Sequence, residues 1–202
     1  MVELGKINKP ALESFAGKRK LYIVRNINAP DGSTDEFRKL INRYWDDVFL
    51  QVGKLESAGK IKKVFCEHIL SADDRGLEEF ADHNERAVEL IRAKSGEGAI
   101  VHPLEKEEIY RPLIDWRNCL EVVLTRGVFE QVLGFYNELS KKRLEHIRKI
   151  IEEGLGKEES GLLLITEEHK SGILFSEDIE LFFVTPPSYD DILRQAREEK
   201  TL

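Results

Sequence analysis

Three apolar runs in this chain close on groups that can do chemistry. Ile61 to Cys66 is followed by Glu67 and His68. Ala99-Ile100-Val101 is followed by His102 and Pro103. Gly161-Leu162-Leu163-Leu164-Ile165-Thr166 is followed by Glu167, Glu168 and His169. Short aliphatic runs bounded by glycine read as strands buried on both faces, and open α/β sheets place their ligands just past the carboxyl ends of such strands. Imidazoles and carboxylates at one open edge can hold a divalent metal, with His68, His102 and His169 as candidate ligands. They can equally act as base and electrostatic anchor. Neither a His-x-x-x-His nor a Cys-x-x-Cys spacing favours the metal. The plainer explanation is that strand ends are polar because water reaches them.

A second clue comes from a long helical pattern. Val128, Val132, Phe135, Leu139, Ile147 and Ile150 form an apolar stripe, and the position four residues after Leu139 is Arg143. A guanidinium on an inward stripe must be paired or must reach a polar cavity, because an unpaired buried charge is costly. Arg143 can therefore meet Glu67 or Glu168, or clamp a small anionic ligand; alternatively it snorkels to water along its neighbours. His146 follows on the same face.

The elements that would position these groups alternate. Strands are expected at 21–24, 61–67, 99–103, 161–166 and 179–184. Helices are expected from the Ser33/Glu36 capping box to 57, from 71–74 to 94 with a break at 82–84, over 105–124 with a kink at Pro112, over 126–153, and from Ser188 to 200. Gly154-Leu155-Gly156 ends the longest helix. Such alternation implies βαβ units: an α/β fold with a largely parallel, mixed central sheet of about five strands and helices packed on it. The last two strands lie too close for a helical crossover, which predicts antiparallel pairing between them. The chain reads as a single α/β domain over 1–202, with 1–17 an irregular arm.

Composition narrows the classes. With 31 basic and 38 acidic residues the net charge is −7, which argues against a nucleic-acid or anionic-membrane footprint. Apolar runs reach only about five residues, against roughly 20 for a spanning helix, and the first residues lack a signal-peptide core. Cys66 and Cys119 lie in apolar contexts and read as buried reduced thiols, consistent with a cytoplasmic location. No phosphate-cradling glycine motif and no Gly-x-Ser-x-Gly elbow is present. Phe37, Tyr44, Trp45, Phe49 and Leu50 spread over more than one stripe of the first helix, which leads us to expect a homodimer.

The carboxyl-terminal half resembles a known family. The run Lys141-Lys142-Arg143-Leu144-Glu145-His146-Ile147, then Gly161-Leu162-Leu163-Leu164-Ile165, His169 and the Asp178-Ile179-Glu180-Leu181 strand, is similar to the TraB family, which belongs with the ChaN and erythromycin-esterase proteins. The resemblance implies an α/β fold with a cleft holding Glu, Arg and His and a proposed metal-dependent hydrolase activity. On it, Glu67, Arg143 and His169 take the catalytic positions; Glu168, His146 and His68 are binding candidates from their places at strand ends and on the helix face, not from the resemblance. Thr166 stands where the family carries glycine. Read without the resemblance, the same residues also suit a non-catalytic binding module.

Overall fold

The apolar segments of this chain are short and rich in aliphatics, and each is burial-competent on two faces, so they assemble as the middle layer of a three-layer molecule. The computed structural model describes residues 17–166, 169 and 172–199. Its elements are β1 (Arg19–Arg25), α1 (Asp35–Leu55), β2 (Ile61–Cys66), α2 (Asp74–Gly96), β3 (Ile100–Pro103), α3 (Glu107–Val122), α4 (Arg126–Gly154), β4 (Ser160–Ile165), β5 (Ile179–Val184) and α5 (Ser188–Glu199). The five strands form one sheet in the order β3-β2-β4-β1-β5. All pairings are parallel.

The expected antiparallel pairing of the last two strands is therefore corrected. β4 inserts between β2 and β1, while β5 flanks β1 on the outer edge, so the connection passes over β1 and the two strands never meet. The cap of α1 also moves by one residue. Thr34, not Ser33, accepts the Phe37 N–H at 3.2 Å, and the Ser33 hydroxyl turns back to donate to the Pro30 carbonyl at 2.7 Å.

Alternating strand residues feed two cores. Tyr22, Val24, Val64, Cys66, Leu162, Leu164 and Val184 face α1, α2 and α5. Leu21, Ile23, Phe65, Leu163 and Ile165 face α4 through Ile147 and Ile151. Tyr44 and Trp45 are fully buried, and their polar tips are met by the Arg25 and Ile27 carbonyls at 2.9 and 3.0 Å. Those bonds pin the turn that leaves β1. The aromatic surplus on α1 is thus largely consumed inside the molecule; of the five residues cited for an interface, Leu50 is the one classed as exposed.

α4, at 29 residues, outreaches the six-residue strands beside it. Only its second half packs on the sheet. Val128 and Phe135, expected on the inward stripe, are instead exposed, with Phe135 stacked on Trp116 of α3. Cys66 is buried as expected, and burial pushes its thiol well up, with Glu67 and Glu105 adding to the shift; Cys119 is only half-buried.

Candidate functional site

The chain leaving β2 enters α2 on one face of the sheet. The chains leaving its neighbours β3 and β4 turn toward the other face, into α3–α4 and into the segment that carries Ile173 and Phe175. Connections that part in opposite directions open a crevice at the strand ends. The crevice here is a cleft of about 730 Å³. Its floor is made by residues that follow three adjacent strands: His68 after β2, Thr166 after β4 and Asn26 after β1.

Glu67 sits at the centre of the buried group below that floor. Its backbone N–H extends the ladder to the Leu164 carbonyl at 3.2 Å, and its side chain has no exposure. His169 Nδ1 lies 2.7 Å from Glu67 Oε2. His68 Nε2 lies 3.3 Å from Oε1. Arg143 Nη2 donates to Oε2 at 3.3 Å, and the Thr166 N–H donates to Oε1. Burial would raise the pKa of this carboxyl, but the hydrogen bonds from His169 and His68 outweigh it and hold the group well below the usual carboxylate range.

Arg143 is inward, as its helix phase requires. Its Nε and Nη2 form a two-pronged pair with Glu105, the Nε bond at 2.8 Å, and Nη1 stands 3.0 Å from both ring nitrogens of His169. Burial works against its charge, yet the Glu105 hydrogen bonds and the two neighbouring carboxylates leave its pKa above the ordinary value. All three guanidinium nitrogens are engaged. Glu67 and Glu105 thus place two carboxylates against one guanidinium, which leaves the buried group with an excess of negative charge.

His68 adopts φ +68°, uncommon for a residue with a Cβ. The turn lets its N–H donate to Glu105 Oε1 at 2.9 Å, while its Nδ1 meets the Tyr110 hydroxyl at 2.8 Å. A carboxylate only accepts, so the His68 proton belongs on Nε2 toward Glu67, and Tyr110 donates to Nδ1. Burial, with Glu105 adding, pushes the Tyr110 hydroxyl up to about 12, so it remains a donor.

Of the residues singled out in the sequence, Glu67, His68, Arg143 and His169 come together. Among the described residues, Glu67, His68 and His169 offer ligand atoms all within 4.8 Å of one another. Two imidazoles and a carboxylate form a recognised donor set, and the excess negative charge also fits a cation. His102 stays apart: it stacks on Phe65 on the α4 side of the sheet, and its buried Nε2 has no partner among the described residues. His146 is half-buried one turn beyond Arg143; burial lowers its pKa, with Lys106 adding, and it makes no bond to the group. Glu167 and Glu168 lie outside the described residues.

Three members escaped the sequence reading. Glu105 had a signal, since it follows β3 as Glu67 follows β2. Thr166 drew notice only for replacing a glycine. Tyr110 had none, because it fits the apolar pattern of α3. Fold and site together define an α/β protein with a polar, histidine-bearing crevice at the ends of a parallel sheet. No family model matches the chain, and comparisons with curated proteins and with solved structures find no match either.

Proposed function

We propose that this protein is a hydrolase-like enzyme acting on a small anionic molecule in the crevice at the end of β2. The observation that carries the reading is the pair of imidazoles, 24% and 30% exposed, set on a carboxylate with no exposure at all. A network serving stability alone has no use for two partly exposed imidazoles, one of them on the floor of a cleft, nor for the left-handed backbone of His68; such conformations concentrate at functional sites. Glu67 orients both rings, Arg143 and Glu105 fix Glu67, and Tyr110 offers a protonated hydroxyl at the wall. Glu67, His68 and His169 would hold a divalent metal, which when bound supplies Lewis acidity and an activated water. The TraB-like reading of Glu67, Arg143 and His169 belongs to this proposal.

One observation favours a non-catalytic binding module instead: Arg143 is fully engaged with Glu105, Glu67 and His169. The two readings part in a hydrolysis screen over carboxylic and phosphoric esters with added zinc or manganese. Turnover by the parent that disappears in His169→Ala supports the enzyme; no turnover on any class supports the module. The proposal also includes a cytoplasmic homodimer without nucleic-acid partners, on the net charge of −7 and the exposed Leu50. Light scattering at micromolar concentration tests the dimer, and a monomer mass removes it.

A further inference from the structure

The outer wall of the cleft carries a feature that the imidazole group does not use. Tyr110, Ile114 and Arg117 recur at four and three residues on α3 and line the cleft together. Arg117 is exposed and makes no hydrogen bond or ion pair among the described residues. The other two arginines of the cleft are each held by a glutamate of their own helix: Arg75 by Glu79 at 3.0 Å and Arg111 by Glu107 at 2.6 Å. Asp73 is spent as the cap of α2, accepting the Gly76 N–H at 2.8 Å. Exposed pairs at this spacing are weak and yield readily to a better partner. Among the described residues Arg117 is thus the cleft arginine without a carboxylate partner.

The floor supplies an independent sign of a ligand. Asn26 is 8% exposed and lines the cleft. Asn84 is fixed by its own bonds: its Oδ1 accepts the Ala87 N–H at 3.1 Å, and its Nδ2 donates to the Ile27 carbonyl at 3.0 Å. That orientation makes Asn84 Nδ2 donate to Asn26 Oδ1 at 2.8 Å, which turns Asn26 Nδ2 away from it. Among the described residues nothing accepts from Asn26 Nδ2. A nearly buried amide donor without a protein partner, on the floor of a cleft with an unpaired arginine on its wall, suits an acceptor that the protein does not itself provide.

We infer that the cleft holds an oxyanion subsite, separate from the imidazole group, that takes the phosphate or carboxylate end of a small molecule with an apolar body. Arg117 supplies its charge, Arg111 and Arg75 swing to support it, and Asn26 donates from the floor. Ile114, Phe80 and Leu70 give the body its apolar contact. Arg117 lies two helical turns beyond Tyr110, about 10 Å along the axis, and that sets the distance between the anionic end and the group presented to the imidazoles. The inference rests on the crevice being a ligand site, and not on its being catalytic.

The test is a calorimetric titration of the full chain, in a buffer free of phosphate and carboxylate, with inorganic phosphate and separately with acetate. The parent binds one oxyanion per chain, and the tighter of the two tells a phosphorylated from a carboxylated ligand class. Arg117→Gln, a change at an exposed position, weakens binding about tenfold, the loss expected for one charge-assisted contact. His169→Ala leaves it unchanged. No binding by the parent, or equal binding by parent and Arg117→Gln, overturns the subsite. Binding lost in His169→Ala but kept in Arg117→Gln also overturns it, by placing the anion on the imidazoles, while leaving the proposed function intact.

Discussion

Arg143 shows how one residue decides between readings that helix periodicity leaves open. Its position midway between Leu139 and Ile147 fixes the inward face, but the same phase suits a buried pair or a snorkelling side chain. The two-pronged contact with Glu105 settles the choice. Arg143→Leu should therefore cost about 3–5 kcal/mol in a denaturant melt, because two buried carboxylates lose the guanidinium that pairs with them; a loss under about 1 kcal/mol would mark a solvated group. The expected partner was Glu67 or Glu168, and Glu105 is closer. In the sequence Glu105 opens the helical pattern over 105–124, two residues past the end of β3 at Pro103, so its place at a strand end was not apparent. The thiols give a second residue-scale test. Cys66, buried and with its pKa pushed up by burial and by Glu67, should resist a thiol reagent in the native state, while half-buried Cys119 should label faster. Equal rates would contradict that placement.

At the scale of elements, the strands and helices were legible because each has one period and clear stops. The break in α2 was legible too. Asn84 leaves the helix at φ −151° and ψ 81°, and its side chain caps the second half through Ala87. Asn84→Ala removes that cap and the bridge to Asn26, and should cost about 1–2 kcal/mol in a chemical melt; a neutral effect would show the kink to be held by packing alone. Strand order was not legible, since it depends on which edges are free when β4 arrives. The start of the sheet is fastened by Arg19, whose Nε and Nη2 grip Asp178 at 2.7 and 3.1 Å and whose Nη1 reaches the end of α4 at the Leu155 carbonyl. The Arg19 and Ser176 hydrogen bonds lower the Asp178 carboxyl from 3.8 to about 2. A lowered folded-state pKa stabilises above the unfolded value and is lost as pH falls through the folded one. The stability advantage of the parent over Asp178→Asn should therefore shrink between about pH 4 and pH 2 in urea midpoints taken across that range. A constant difference would show that Asp178 does not titrate with the clamp.

At the scale of the whole molecule, the site exists because the topology sends the chain after β2 to one face and the chains after β3 and β4 to the other. Residues 38 and 102 positions away from Glu67 then meet at its side chain or beside it: Glu105 through Arg143, and His169 directly. Sequence could flag strand ends bearing carboxylates and imidazoles, but it could not tell which of them share an edge and a face. His102 shows this well, for it stands in register with Phe65 and follows it into the apolar layer under α4. The central claim is that Glu67, His68 and His169 form a working group and not a by-product of packing. The most direct measurement is a calorimetric titration of the chelator-treated chain with zinc, set beside His169→Ala and His68→Ala. One ion per chain, with affinity lost by at least tenfold in each variant through the missing ligand, is the predicted result. A parent that takes up no zinc, or variants that bind it as the parent does, would contradict the account.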